Sequence, residues 1–346
     1  GTYLRGLAPL LVCPGAAGLA VIAVSVLLFS CLAGLMLGYI PLSFPEVLGA
    51  LAGCDGAAAD IVRDLRLPRI LLSAATGMGL ALSGVVMQAM FRNPMASPYI
   101  MGISSGASLG AVAAVFLGIG SAWGAGGVGL GAFAGALLMS VILAGVIGKK
   151  SGTSYILIAG VALGAVCSGI TGVIIYSGAA SSGIDVTLYW MMGSVAFAKT
   201  DHAVFLLMIV IAISAFFLRQ SRILNLMLLG REGTLPLGRD LMPFFRLYIL
   251  VNALLVGCIV MEAGLIGFVG LVVPHFVRSF IGADHKKLVP LAVLCGGILT
   301  VWADILGRVL VTGADVPLGV TLGLIGAPLF IYMQVRKSYN FGKEPS

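Results

Sequence analysis

The side chains of this 346-residue sequence that could do covalent chemistry are few and scattered. A phosphate loop needs glycines whose N–H groups cradle phosphate, ending in Gly-Lys and a hydroxyl. Gly148-Lys149-Lys150-Ser151 lacks the upstream glycine and places Lys150 where the hydroxyl belongs. His202, His275 and His285 are single and far apart, and nothing supplies an H-E-x-x-H pair or a nucleophile elbow. Cys13, Cys31, Cys54, Cys167, Cys258 and Cys295 show no C-x-x-C or metal-ligand spacing and read as small buried hydrophobes. No catalytic residue, metal site or cofactor held by this chain is therefore expected. One segment does look built to be gripped. Arg219 to Arg246 holds five Arg, two acids and an apolar centre, Leu224 to Leu229. With glycine stops at Gly230 and Gly238 it suits short helices lying at a membrane surface. Its plainer reading is a solvated basic loop that only sets topology.

The elements that must position this segment are membrane helices. From Asn93 to Gly148 the chain runs 56 residues without Asp, Glu, Lys or Arg. A spanning helix needs roughly 20 apolar residues to cross about 30 Å of hydrocarbon, and only helices or closed barrels satisfy every backbone group there. Composition agrees: 60% hydrophobic, 10% charged, 49 glycines and a mean hydropathy of +1.13. Apolar blocks near 16–38, 68–90, 98–118, 127–148, 154–177, 202–218, 246–262, 265–281, 288–307 and 317–335 predict an all-α polytopic membrane protein of about ten transmembrane helices. The first block is long enough to span and has no clear A-x-A cleavage site after it, so it reads as a helix and not as a signal peptide. The whole chain, 1–346, reads as one transmembrane domain, with 39–67 as an extracytoplasmic loop and 219–246 as a cytoplasmic one.

With both termini cytoplasmic, 15 of the 20 Lys and Arg fall inside; Arg63, Arg66, Arg69, Lys199 and Arg308 fall outside. The net charge of +7 thus reflects topology, and no nucleic-acid surface is indicated. Small residues at four-residue spacing (Gly102, Gly106, Gly110; Gly127, Gly131, Gly135; Gly160, Gly164, Ser168, Gly172; Gly319, Gly323, Ala327) predict close helix packing, within the chain or with a second subunit. Charged side chains map to helix ends, which disfavours a proton or ion relay. The chain reads as a conduit energised by a partner; an ion-coupled secondary transporter working alone is the alternative.

Several segments, in order, resemble the permease subunits of ATP-binding-cassette importers for iron siderophores, haem and cobalamin. They are Arg66 to Ala111 (RLPRILLSAATGMGLALSGVVMQAMFRNPMASPYIMGISSGASLGA), Ile156 to Val166, Leu188 to Ser194, Gly264 to Arg278 (GLIGFVGLVVPHFVR), Ala303 to Arg308 and Val316 to Met333. The likeness covers nearly the whole chain after the first helix. It implies a homodimer in the cytoplasmic (inner) membrane, with two ATPase subunits below that hold ATP and Mg, and a soluble substrate-binding protein above. It implies import of a metal chelate by alternating access, with ferric siderophore, haem, cobalamin and oxyanions such as molybdate all open.

The resemblance also implies roles for single residues. Arg66, Arg69 and Arg308 stand at positions where family arginines meet carboxylates of the binding protein. A guanidinium fork suits that pairing; the plainer readings are interfacial anchoring for Arg66 and Arg69, and for Arg308 an i,i+4 pair with Asp304. Asn93, Met95, Gly152 and Thr153 stand where family members close the cytoplasmic mouth, although Asn93-Pro94 also reads as a turn. The ATPase-coupling loop maps to Leu224, Leu228, Leu229, Gly230, Arg231, Glu232, Leu237 and Gly238. It departs from the family's usual Leu-Gly-Glu, since Arg231 precedes Glu232, and Gly233 and Pro236 disfavour a continuous helix. Pro274 reads as a packing kink and His275 as structural.

Overall fold

In the computed structural model of the chain, residues 16–99, 101–119, 125–146, 153–177, 190–234, 241–310 and 315–338 are described. Among them all regular structure is helical. The long helices are α1 (Ala16–Met36), α4 (Leu67–Phe91), α6 (Ala125–Val146), α7 (Thr153–Ser177), α8 (Thr200–Arg219), α10 (Met242–Ala263) and α12 (His285–Val309). Seven stretches are long and apolar enough to cross a membrane. Three further predicted blocks also fold as helices, but α5 (Ile103–Phe116), α11 (Val269–Ile281) and α13 (Leu318–Ser338) carry shorter apolar stretches of 10–17 residues. At ~1.5 Å per residue the 13-residue α11 reaches only about 20 Å, short of the hydrocarbon thickness.

The expected 39–67 loop is itself largely helical. It holds α2 (Phe44–Ala52) and a single turn, α3 (Ala57–Asp60), which continues through a π-helical stretch, Ile61–Arg66, straight into α4. Glu46 starts α2 by accepting from both the N–H and the hydroxyl of Ser43. These bonds hold its carboxyl below the usual range. The grip segment is helical too, as α9 (Ser221–Thr234).

Helix α4 is the axle of the molecule. Nearly all its side chains are buried, and α8, α10, α11 and α12 pack around it. Two crossings depend on glycine. A Cβ on Gly84 would fall 1.8 Å from the Gly270 carbonyl oxygen of α11, and one on Gly77 would fall 2.2 Å from that of Gly296 on α12. Backbones can approach this closely only where neither residue carries a side chain. The stripes of α5 and α6 likewise face each other: a Cβ on Gly110 would strike Gly131, and one on Gly135 would strike Gly106. Those stripes pack within the chain, whereas Gly169 and Gly172 on α7 have open space around them.

Candidate functional site

Two polar clusters lie at opposite ends of α4, about 37 Å apart for its 25 residues. The first gathers all three arginines singled out in the sequence. Arg66 ends the π-helical stretch, Arg69 sits in the first turn of α4 and Arg308 in the last turn of the antiparallel α12. All three are buried, at 7, 9 and 8% exposure, so each must find partners inside the chain.

Those partners are specific. Arg66 donates to the carbonyls of Leu35 (2.6 Å), Met36 (3.1 Å) and Ile40. Arg308 donates to those of Gly34 (3.1 Å) and Leu37 (3.2 Å). The carbonyls of Gly34, Leu35, Met36 and Leu37 are the ones an α-helix leaves without intrahelical partners at its C-terminus. Two guanidinium groups thus close α1, where cations also meet the negative end of the helix dipole. Arg69 bridges Asp304 through Nε (2.8 Å) and Asp315 through Nη1 (2.8 Å). The i,i+4 pair read from the sequence is present as well: Arg308 Nη2 lies 3.2 Å from Asp304 Oδ2, in contact without hydrogen-bond alignment. Asp304 is fully buried between two arginines, while the Asp315 side chain is half exposed at the rim.

The second cluster surrounds α9. Leu224 and Met227 are buried against the core, Leu228 is partly buried and Leu229 is 56% exposed. This places one apolar face into the bundle and leaves part of the helix outside it. Asn225, the one polar residue inside the Leu224–Leu229 run, ties α9 to the start of α12. Its Oδ1 accepts from the His285 N–H (3.0 Å) and lies 2.6 Å from His285 Nδ1, and its Nδ2 donates to Asp284 Oδ1 (2.9 Å). Asp284 also accepts from the Lys286 N–H at 3.1 Å, capping α12. The Asn225 amide, then the Lys286 N–H, hold the Asp284 carboxyl below its ordinary 3.8.

At Gly230, with φ 73° and ψ 175°, α9 kinks. Only glycine adopts that backbone conformation readily. Arg231 and Glu232 continue the helix beyond the kink with side chains outside the described residues, as Leu237 and Gly238 are entirely. Arg92, which ends α4, reaches this kink: a Cβ on Gly230 would fall 2.3 Å from Arg92 Nη1. The next residues form a tight turn, in which Asn93 Oδ1 accepts from the Met95 N–H (2.9 Å) and the Asn93 carbonyl from the Ala96 N–H (3.0 Å). Met95 is 43% exposed. Of the other two mouth positions, Thr153 opens α7, its side chain not described, and Gly152 lies outside the described residues.

The arginine cluster and the α9 segment were both readable as charge placed at helix ends. Asp315, Asn225, Asp284 and His285 were not, since each gains its role from a residue at least 59 positions away. The sole signal for Asn225 was an amide amid leucines. His275, read as structural, is buried with its ring 6.4 Å from that of Phe330 on α13.

Comparison with known proteins agrees with this architecture. The sequence model of the FecCD transport family matches residues 26–336. The vitamin B12 import system permease protein BtuC of Salmonella typhi is 40% identical over 280 residues, covering 80% of this chain and 84% of the relative. That of Citrobacter koseri is 38% identical over 277 residues, covering 80% and 83%. Among solved structures, an inward-facing conformation of a metal-chelate type ABC transporter superposes with a TM-score of 0.82 at 29% identity, covering 92% of this chain and 98% of the other. PsaBC from Streptococcus pneumoniae shares the fold, with a TM-score of 0.55 at 16% identity over 84% of this chain and 95% of the other. The seven spanning helices, the ordered motifs and a family match across nine-tenths of the sequence converge: this chain is a multi-pass membrane permease subunit belonging to the FecCD transport family.

Proposed function

We propose that the chain forms half of an ATP-driven importer for a corrinoid or a similarly bulky metal chelate, working by alternating access as a homodimer. The observation that carries this reading is the 40% identity over 280 residues to vitamin B12 permeases, supported by the 0.82 TM-score to a metal-chelate type transporter. Two ATPase subunits, holding ATP and Mg, would grip the exposed side of α9, and a soluble substrate-binding protein would dock at the arginine end. Docking there has a geometric condition. Arg66 and Arg69 are already engaged and the unmatched Nε and Nη2 donors of Arg308 are buried, so an incoming carboxylate reaches this end most directly by displacing the half-exposed Asp315 from Arg69 at the rim. The turn at Asn93 and Met95, together with Gly152 and Thr153, would close the path on the ATPase side.

The test is uptake into proteoliposomes holding the permease with its co-expressed ATPase and binding protein. Cyanocobalamin, haem, a ferric siderophore and molybdate are offered in turn. ATP-dependent uptake of cyanocobalamin alone is the expected result. Uptake of another compound reassigns the substrate, and uptake that follows an ion gradient without nucleotide overturns the importer reading.

A further inference from the structure

We propose that Arg92 is the positioning residue that passes movement of α9 to the mouth turn 93–95, through its guanidinium packed on the glycine kink at Gly230. The inference rests on the reading of 93–95 as a gate, and deepens it.

Four observations carry it. First, Arg92 ends α4 with φ 49° and ψ 34°. A non-glycine residue in the left-handed region is uncommon, and here it aims a long side chain away from the helix that it ends. Second, the guanidinium lies against Gly230: Nη1, Cζ and Nε stand 2.3, 2.7 and 3.2 Å from where a Cβ would be. Three of its atoms cover the bare α-carbon, and any side chain there would push the group off. Third, Gly230 is the kink of α9, so the contact falls where that helix can bend. The half before the kink is independently tied to α12 by Asn225, which leaves the kink as the pivot for a push delivered to the outer half. Fourth, Arg92 is followed directly by the turn closed through Asn93 Oδ1 and the Asn93 carbonyl. A turn pinned by two hydrogen bonds follows its first residue as a unit. Movement at the kink of α9 thus has a contiguous route, through one side chain, to the residues at the mouth.

A plain helix-capping role for Arg92 makes the opposite forecast. Glycine suits φ > 0 better than arginine, so Arg92→Gly preserves the cap while removing the guanidinium. The experiment uses the assembled transporter, permease with its co-expressed ATPase in lipid nanodiscs. All six native cysteines are replaced, Met95→Cys carries a spin label, and spectra are recorded with and without a non-hydrolysable ATP analogue. With Arg92 in place the label responds to nucleotide. In Arg92→Gly the response falls at least about five-fold, the low end of ordinary coupling between sites, while ATP hydrolysis stays within about two-fold of its starting value, since truncating an exposed side chain is normally mild. Arg92→Lys, whose compact ammonium offers no planar face, loses the response likewise and serves if the glycine variant fails to assemble. A full response in either variant overturns the inference alone. No response with Arg92 intact overturns the gate reading, and the inference with it.

Discussion

The two polar ends of α4 solve the same problem differently. At the arginine end, charge is buried and paired with charge or with backbone carbonyls; Asp304 lies wholly inside, between Arg69 and Arg308. At the α9 end, the ties are an amide, an imidazole and an exposed carboxylate, and the arginine stacked on the Gly230 kink is itself exposed. Buried charge cannot be rearranged without stranding a partner at low dielectric, so the first end is stiff. The hydrogen bond to the exposed Asp284 carboxylate and the exposed Arg92 guanidinium can exchange partners with water, so the second end can move. A permease driven from one side needs one end that yields and one that keeps the helices in register. The glycine crossings Gly77/Gly296 and Gly84/Gly270 join them into one body.

The sharpest way to break this contrast is to remove the buried carboxylate. Asp304→Ala removes the fully buried counter-ion of Arg69 and Arg308, leaving Arg69 only Asp315 and Arg308 only backbone carbonyls, and is expected to destabilise the permease by about 3–5 kcal/mol. It should be seen as a large loss of folded, detergent-extractable protein and a lowered unfolding temperature. Asp315→Asn, at the rim of the same cluster, should stay within about 1 kcal/mol of the parent. Equal losses in the two variants would show that burial does not govern this end. At the α9 end, Asn225→Ala leaves the His285 N–H and Asp284 without their partner and is expected to cost about 1–3 kcal/mol locally. Hydrogen exchange should quicken in α9 and the first turn of α12, with the global unfolding temperature little changed.

The smallest effect concerns pH. Because the Asp284 carboxyl is held below its ordinary 3.8, its contribution is fully present above that value and is lost as pH falls through the lower folded one. The tie between α9 and α12 is therefore intact at neutral pH and weakens only below about 3.8. Exchange of the Asn225 and His285 amides, corrected for intrinsic rates, should rise on acidification past that point, and Asp284→Asn should remove the rise.

Much of this molecule was legible in its sequence. Apolar blocks of near-spanning length located every long helix, because hydrocarbon admits no unpaired backbone and few charges. The count of full spans was less legible, since α5 and α11 are apolar yet too short, and apolarity alone does not tell a span from a half-length helix. The 39–67 stretch read as a loop because its helices are short and carry Arg63, Asp64 and Arg66, and it folds as helix because it packs on α1 and α4.

The sequence by itself determined that this is a helical membrane protein, where its charges gather, and to which kind of transporter it is akin. Only the tertiary structure decided what those charges do. Arg66 and Arg308 close α1 because the chain returns to it 31 and 274 residues later, and no local pattern records that return. Arg69 meets Asp304 and Asp315, and Arg92 meets Gly230, for the same reason. Hydropathy is a property of single residues against lipid; pairing is a property of helices brought together.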